Sequence, residues 1–224
     1  MSITGSFFDL VNDNEEFYND QVDYPDIDEF SYDEKLAMEK QYLGIYITGH
    51  PLDSYREKIN ILTNHNCGEI IEIEEKDNIA FAGIIVNIKE HITKRNNRMA
   101  FITIEDWAAS IDVVVFPELY DKTEKYIKND SLLIITGSQT EDSFIARGII
   151  PLTEKYLKIN INRNNNIDFA KLKRLMREHK GSIPVVFQYN NNIIFTDSKY
   201  WIRSNQELNS QIEGLIDSKK ISYI

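Results

Sequence analysis

From about residue 68 to residue 152 the chain alternates apolar and polar positions in short runs separated by turn signals, the period-2 pattern of half-buried strands. Ile70, Ile73, Ile79, Phe81 and Gly83–Ile88 predict a long first strand, bent at Gly83. Met99–Asp106 predicts the second strand and Ile111–Phe116 the third. Pro117–Ile127 switches to 3–4 spacing, with Pro117 suited to a first helical turn. Leu132–Gly137 and Ser143–Ile150 predict two more strands. The order β-β-β-α-β-β is that of a five-stranded OB barrel, whose helix closes the barrel between strands three and four. A two-sheet sandwich is the competing fold, and it rarely places one helix there.

The flanks have other rhythms. Residues 32–47 carry Leu36, Met38, Leu43 and Ile47 at mixed 3–4 spacing and predict a helix, with Ser31 and Glu34 placed for a capping box and Gly49 and Pro51 as its stop. Leu52–Leu62 predicts a second short helix. After the barrel, Tyr156–Ile161 reads as a strand, Asp168–His179 as a basic helix ended by Gly181, Pro184–Tyr189 and Asn192–Thr196 as a hairpin, and Asn205–Ile216 as a last helix. The predicted fold is mainly β with α+β. An acidic, mostly disordered segment spans 1–33, a helical linker 34–67, the OB barrel 68–152 and a small α+β unit 153–224.

Charge complicates this picture. The formal net charge is −11, which argues against contact with phosphates. The excess is uneven, however: residues 1–60 carry roughly −10, 61–150 roughly −6 and 151–224 roughly +5. Much of the acid therefore lies outside the barrel. The single cysteine, Cys67, excludes an internal disulfide and fits a reducing, cytoplasmic setting. No basic-then-apolar leader opens the sequence, and no apolar run approaches the ~20 residues of a membrane span, so no membrane is expected as a partner.

Several local patterns bear on chemistry. Lys89, Lys94, Arg95 and Arg98 surround the loop between strands one and two, which in OB barrels flanks the oligonucleotide-gripping face. With Phe101, Phe116, Phe144 and Arg147 in the strands, they form a candidate site where cations follow phosphates and rings stack on bases. The alternative is a solvated hairpin over core phenylalanines. Glu105 and Asp106, with Asp112 nearby, have the composition of a Mg²⁺ site for phosphoryl chemistry, but more often such residues cap a turn. His65 and Cys67 are too few for a zinc site, and no metal or other cofactor is expected. No Gly-rich phosphate loop or activated nucleophile is present, so no catalytic residue is assigned.

Two longer stretches resemble one family. Glu39-Lys40-Gln41-Tyr42-Leu43-Gly44-Ile45-Tyr46-Ile47-Thr48-Gly49-His50-Pro51-Leu52 is similar to the linker before the OB domain in bacterial DNA polymerase III alpha subunits. Arg98–Asp106 and Asp112–Tyr120 resemble the OB strands of that family, and the likeness runs on through Gly181–Val185. The resemblance implies the C-terminal part of such a subunit, non-catalytic by itself because the palm and PHP domains of the family have no counterpart here. It implies contact with single-stranded template DNA and attachment to the remainder of the polymerase. It also implies a sliding-clamp-binding peptide falling on Ser6, Phe7 and Phe8, where Thr4 replaces the usual Gln, and contact of the last unit with the clamp loader. Three other functions fit the residues: a free-standing single-stranded DNA or tRNA-binding module, a protein-interaction domain without nucleic-acid affinity, and a small nuclease.

Overall fold

The computed structural model describes residues 28–153, 155–161, 167–190, 192–216 and 221–224. Helix α1 spans Tyr32–Leu43. Its start is the expected capping box: the Ser31 hydroxyl accepts from the Glu34 N–H while the Glu34 carboxylate accepts from the Ser31 N–H. It ends before Ile47 because Gly44 turns left-handed at φ 76° and donates its N–H to the Lys40 carbonyl. A 3-10 turn at Asp53–Tyr55 leads into α2 (Arg56–Leu62), and α3 (Cys67–Ile71) follows. Ile70 and Ile73, expected in the first strand, instead belong to α3 and the turn after it. Asn66 caps α3 in a second box with Glu69, and the short apolar run packs into the barrel's open end.

Five strands then close a barrel in the order β1-β2-β3-β5-β4. They are β1 (Lys76–Ile92), β2 (Arg98–Glu105), β3 (Ser110–Val115), β4 (Leu132–Gln139) and β5 (Phe144–Pro151). Between β3 and β4 lie α4 (Pro117–Thr123) and a 3-10 turn at Glu124–Tyr126. The long β1 serves two neighbours: Ile79–Ile84 pair with β4 and Ile84–Ile92 with β2. Its ladder with β2 slips between Ile85 and Asn87, so the irregularity falls after Gly83. Gly83 has a different task. A Cβ there would stand 2.7 Å from the Glu105 carbonyl oxygen, so its absence lets β1 approach the end of β2. Ile79, Phe81, Ile85, Ile102, Ile104, Val113, Val115, Leu133 and Ile135 fill the interior, closed below by Tyr120 of α4.

The C-terminal unit is a four-stranded sheet in the order β10-β6-β8-β9, made of β6 (Leu157–Ile161), β8 (Val185–Tyr189), β9 (Asn192–Phe195) and β10 (Ile221–Tyr223). Helices α5 (Phe169–Glu178) and α6 (Gln206–Glu213) cover one face around Leu157, Ile159, Leu172, Val185 and Leu208. The other face shares a core with the barrel through Ile134, Ile150, Tyr156, Val186 and Trp201. Gly181, expected just past the end of α5, lies inside β7 (Lys180–Ile183). A Cβ on it would meet the Arg203 nitrogen at 2.3 Å, so close backbone approach rather than helix termination requires glycine there. Among the described residues no helix is long and apolar enough to cross a membrane.

Candidate nucleic-acid interface

Strand register builds one outward row across four strands. Lys89 of β1 pairs with Phe101 of β2, Phe101 with Val114 of β3, and Val114 with Ile145 of β5. Ladder partners put their side chains on the same face, so an exposed lysine, a phenylalanine ring 40% exposed and two half-buried aliphatic residues lie side by side. His91, two residues along β1, stands edge-on to Phe101 with centroids 6.5 Å apart. Phe116, 48% exposed, follows β3 as the residue capping α4. An apolar and aromatic strip flanked by cations is what single-stranded nucleic acid needs: the rings offer faces to unpaired bases, and the cations meet the phosphates between them.

The hairpin above this strip is tightly closed. The Thr93 N–H donates to the Asn97 carbonyl at 2.9 Å and the Asn96 N–H to the Thr93 carbonyl at 2.8 Å, while Asn96 takes the left-handed conformation at φ 61°. Lys94 and Arg95 at its tip are exposed. Among the described residues neither they nor Lys89 has a carboxylate partner, so their charge faces solvent uncompensated.

Three of the expected site residues are otherwise placed. Phe144 is 1% exposed and packs edge-on against Phe81 inside the barrel, at 5.0 Å between centroids, so it has no face for a base. Its side of β5 points inward because the ladder pairs it with buried Val113. Arg98 grips Glu124 through two hydrogen bonds of 2.7 and 2.5 Å, and its guanidinium lies 5.4 Å from the centre of the Tyr120 ring. Tyr120 in turn donates to Glu90 at 2.8 Å, and its hydroxyl is pushed up to about 12 by burial and by that carboxylate. Arg98 thus pins α4 across the barrel floor, in an architectural role. Arg147 is on the outer surface but pairs with Asp77 at 2.9 Å. Val114, Ile145 and His91 are additions to the site, His91 being the aromatic one. The signal for it was available in the sequence, because β1 alternation places it on the same face as Lys89.

Charge reverses along the strip. Beyond Phe101 the outward residues are Thr103 and Glu105, with Asp112 opposite Thr103 accepting its hydroxyl at 2.7 Å. The β4–β5 turn adds exposed Glu141 and Asp142. The cationic end is therefore the hairpin and the anionic end the β4–β5 turn.

The carboxylate cluster considered for Mg²⁺ is a structural cap. Asp106 is buried; its Oδ2 accepts the Cys67 N–H at 2.7 Å and its Oδ1 the N–H groups of Ala108 and Ala109 at 2.8 and 3.1 Å, which ties α3 to the β2–β3 turn. Burial pushes the Cys67 thiol up, first of several causes, so it stays protonated. His65 contacts Lys76 and Asn64, and no metal-ligand cluster exists among the described residues. Ser6, Phe7 and Phe8, expected to bind a clamp, lie outside the described residues.

The resemblance-bearing linker residues form a clasp. Glu39 accepts the Ile47 N–H at 2.7 Å and also the N–H and hydroxyl of Thr48. Asp53 accepts the His50 N–H at 2.7 Å, Arg56 at 2.7 Å and the indole N–H of Trp107 at 2.9 Å. It therefore joins the linker to the β2–β3 turn. These donors, led by the His50 N–H, hold its carboxyl at about 2. A Cβ at Gly49 would overlap the Tyr32 hydroxyl, so any larger residue there would push the Tyr32 side chain off Asp53. A cavity of about 610 Å³ opens beside this clasp between α1 and the β1–β4 side, away from the strip; Lys40 already stands 5.0 Å over its Tyr46 ring.

Residues 79–156 match the tRNA anti-codon family of OB-fold nucleic acid binding domains. A DNA polymerase III subunit alpha of Borreliella burgdorferi is 29% identical over 215 residues, which is 90% of this chain and 18% of that protein. The one from Buchnera aphidicola subsp. Acyrthosiphon pisum is 30% identical over 208 residues, 84% of this chain and again 18% of its own length. This chain thus spans a fifth or less of the length of the curated relatives it matches. A solved mitochondrial single-stranded DNA binding protein of S. cerevisiae, Rim1, is similar over 36% of this chain and 94% of its own, at 18% identity and a TM-score of 0.30, too remote to argue from.

Proposed function

We propose that this chain, a relative of the DNA polymerase III alpha subunits, holds unpaired template DNA on its OB barrel as the C-terminal part of such a subunit, without catalysing the polymerisation itself. The observation that carries the reading is the row Lys89–Phe101–Val114–Ile145 beneath the unpaired cations of Lys94 and Arg95. The phosphates supply the charge that these cations lack. Phe101 supplies a stacking face, of a kind that contributes ~1–3 kcal/mol per base. Three unpaired cations make for a weak and salt-sensitive contact. On a single strand they give a slope of log affinity against log salt of about −2.

Fluorescence anisotropy with labelled oligo-dT over a salt series tests this. The expected result is binding at low salt that weakens with about that slope; no binding at low salt overturns the reading. The carboxylates Glu141 and Asp142 favour a second reading, a barrel that binds protein only, and that same null result would support it. Competition between oligo-dT and tRNA distinguishes the polymerase reading from a tRNA-binding module. For the partners, Ser6, Phe7 and Phe8 supply an apolar anchor for a sliding clamp, and the C-terminal unit faces the clamp loader. Phe7→Ala with Phe8→Ala is expected to abolish clamp pull-down; undiminished capture sinks that assignment.

A further inference from the structure

We infer that the bound strand passes Phe116 and places one of its nucleotides in the cleft between the barrel and the C-terminal sheet, an inference that rests on the nucleic-acid reading above. The cleft holds about 230 Å³ between α4, β5 and the turn after β9. That is below the ~300–1,000 Å³ of pockets for drug-sized ligands, which suits a single base. It lies at the other end of α4 from the strip: Phe116 caps the start of the helix that carries Lys122. Six residues of helix advance by ~9 Å, within reach of the next nucleotide or two.

Three features give the cleft the chemistry of a nucleotide site. One wall is apolar and rigid: Tyr126 and Trp201 stack on each other with centroids 5.7 Å apart and planes 25° apart, Lys125 lies over the Tyr126 ring, and Trp201, buried, is fixed by its indole N–H donating to the Thr196 carbonyl at 3.1 Å, so this wall packs against a base without offering a free stacking face. A second wall is a strand edge. Among the described residues β5 pairs with β3 only at Phe144 and Ile145; from Arg147 to Ile150 that edge turns toward α4 and lines the cleft. Main-chain groups there can meet the edge of a base. Third, two cations stand at the mouth, each held by one exposed carboxylate: Lys122 by Glu118 and Arg147 by Asp77, both at 2.9 Å. Exposed pairs of this kind are weak and exchange readily for a phosphate. Asp197, already paired with Lys199 at 3.4 Å, lies on the far rim. It also acts on Lys122, so the phosphate sits on the Arg147 side of the mouth and the base points inward.

The test uses the whole chain and two labelled oligo-dT probes, one of about four residues that only covers the strip and one of about twelve that reaches the cleft. Lys122→Glu with Arg147→Glu is expected to weaken the long probe about tenfold while leaving the short one within about twofold. Lys94→Glu with Arg95→Glu is expected to weaken both. Ultraviolet crosslinking of a long probe containing 5-iododeoxyuridine should label the peptides bearing Tyr126 or Trp201, and the short probe should not. If both probes bind and the cleft variant weakens neither, or weakens both equally, the inference falls while the strip survives. If neither probe binds, the proposed function falls and takes the inference with it.

Discussion

The linker clasp and the hairpin strip lie at opposite ends of β2 and treat charge in opposite ways. In the clasp each carboxylate is satisfied from within. Glu39 takes up donors of Ile47 and Thr48, Asp53 those of His50, Arg56 and Trp107, and Asp106 those of Cys67, Ala108 and Ala109. In the strip Lys89, Lys94 and Arg95 have no acidic partner among the described residues. A carboxylate whose donors are already in place is accounted for by folding alone, although the Nε2 of His50 in the same clasp is buried without a hydrogen-bond partner among the described residues. Unpaired exposed cations beside an exposed ring are not required by folding, and that makes the strip the better candidate for binding. The residues most recognisable in the sequence are mainly those of the clasp, so recognisability and ligand contact are separate properties here.

The strongest challenge to this contrast is charge reversal at the hairpin tip. Lys94→Glu with Arg95→Glu should lower oligo-dT affinity about a hundredfold at low salt, because it both removes two phosphate contacts and adds repulsion. The melting temperature should not move, since neither side chain has an internal partner. A fall in Tm would mean that the tip is architectural as well, and the contrast would fail.

The reciprocal substitution is Asp106→Ala. It leaves the Cys67 N–H buried without an acceptor, together with the turn it caps, and should destabilise the chain by about 2 kcal/mol in denaturant titration. Oligo-dT affinity, measured where the variant is still folded, should be unchanged. Lost affinity at full stability would revive a direct ligand role for this carboxylate.

Acid should weaken the clasp, and the sign follows from the direction of each shift. Asp53 is held at about 2, below its ordinary 3.8, so its contribution is complete above 3.8 and is lost as pH falls from there toward about 2. His50 is lowered from 6.5, chiefly by burial, so the unfolded chain binds its proton first and stability begins to fall as pH drops below 6.5. Its neutral Nδ1 accepts the Leu52 N–H at 3.2 Å, which protonation would end. Melting temperature recorded against pH should show both losses. His50→Gln should flatten the part just below 6.5 and Asp53→Asn the part below 3.8; unchanged slopes in both variants would remove the clasp from the acid response.

Much of this was legible before the fold was known. The barrel order, the Ser31–Glu34 box, the Pro117 helix start and the β8–β9 hairpin all follow from local periodicity and caps. What local pattern could not supply was partnership at long range. Ile70 sits in a short apolar run that suits strand and helix equally, and the choice is made by Asn66 capping and by the barrel mouth that receives it. Phe144 and Ile145 are both apolar at the start of β5, so the two residue types alone do not say which one faces inward; pairing of Phe144 with buried Val113 decides it. β7 and β10 are short, and each is defined by a partner distant in sequence or by close contact with one.

Arg98 shows the same limit and offers the finest test. By residue type and charge it matches Arg95, three residues away in the same basic run. In space Glu124, 26 residues on, claims it through a two-pronged contact, and Tyr120 lies beneath it. Because the pair is exposed, its loss should be mild. Arg98→Ala is expected to lower Tm slightly and to leave oligo-dT affinity within about twofold, whereas Arg95→Ala should reverse the pattern, sparing Tm and weakening binding. Equal losses of affinity in the two variants would show that the strand displaces Glu124 and recruits Arg98. The boundary between architecture and binding would then move one residue pair into the barrel floor.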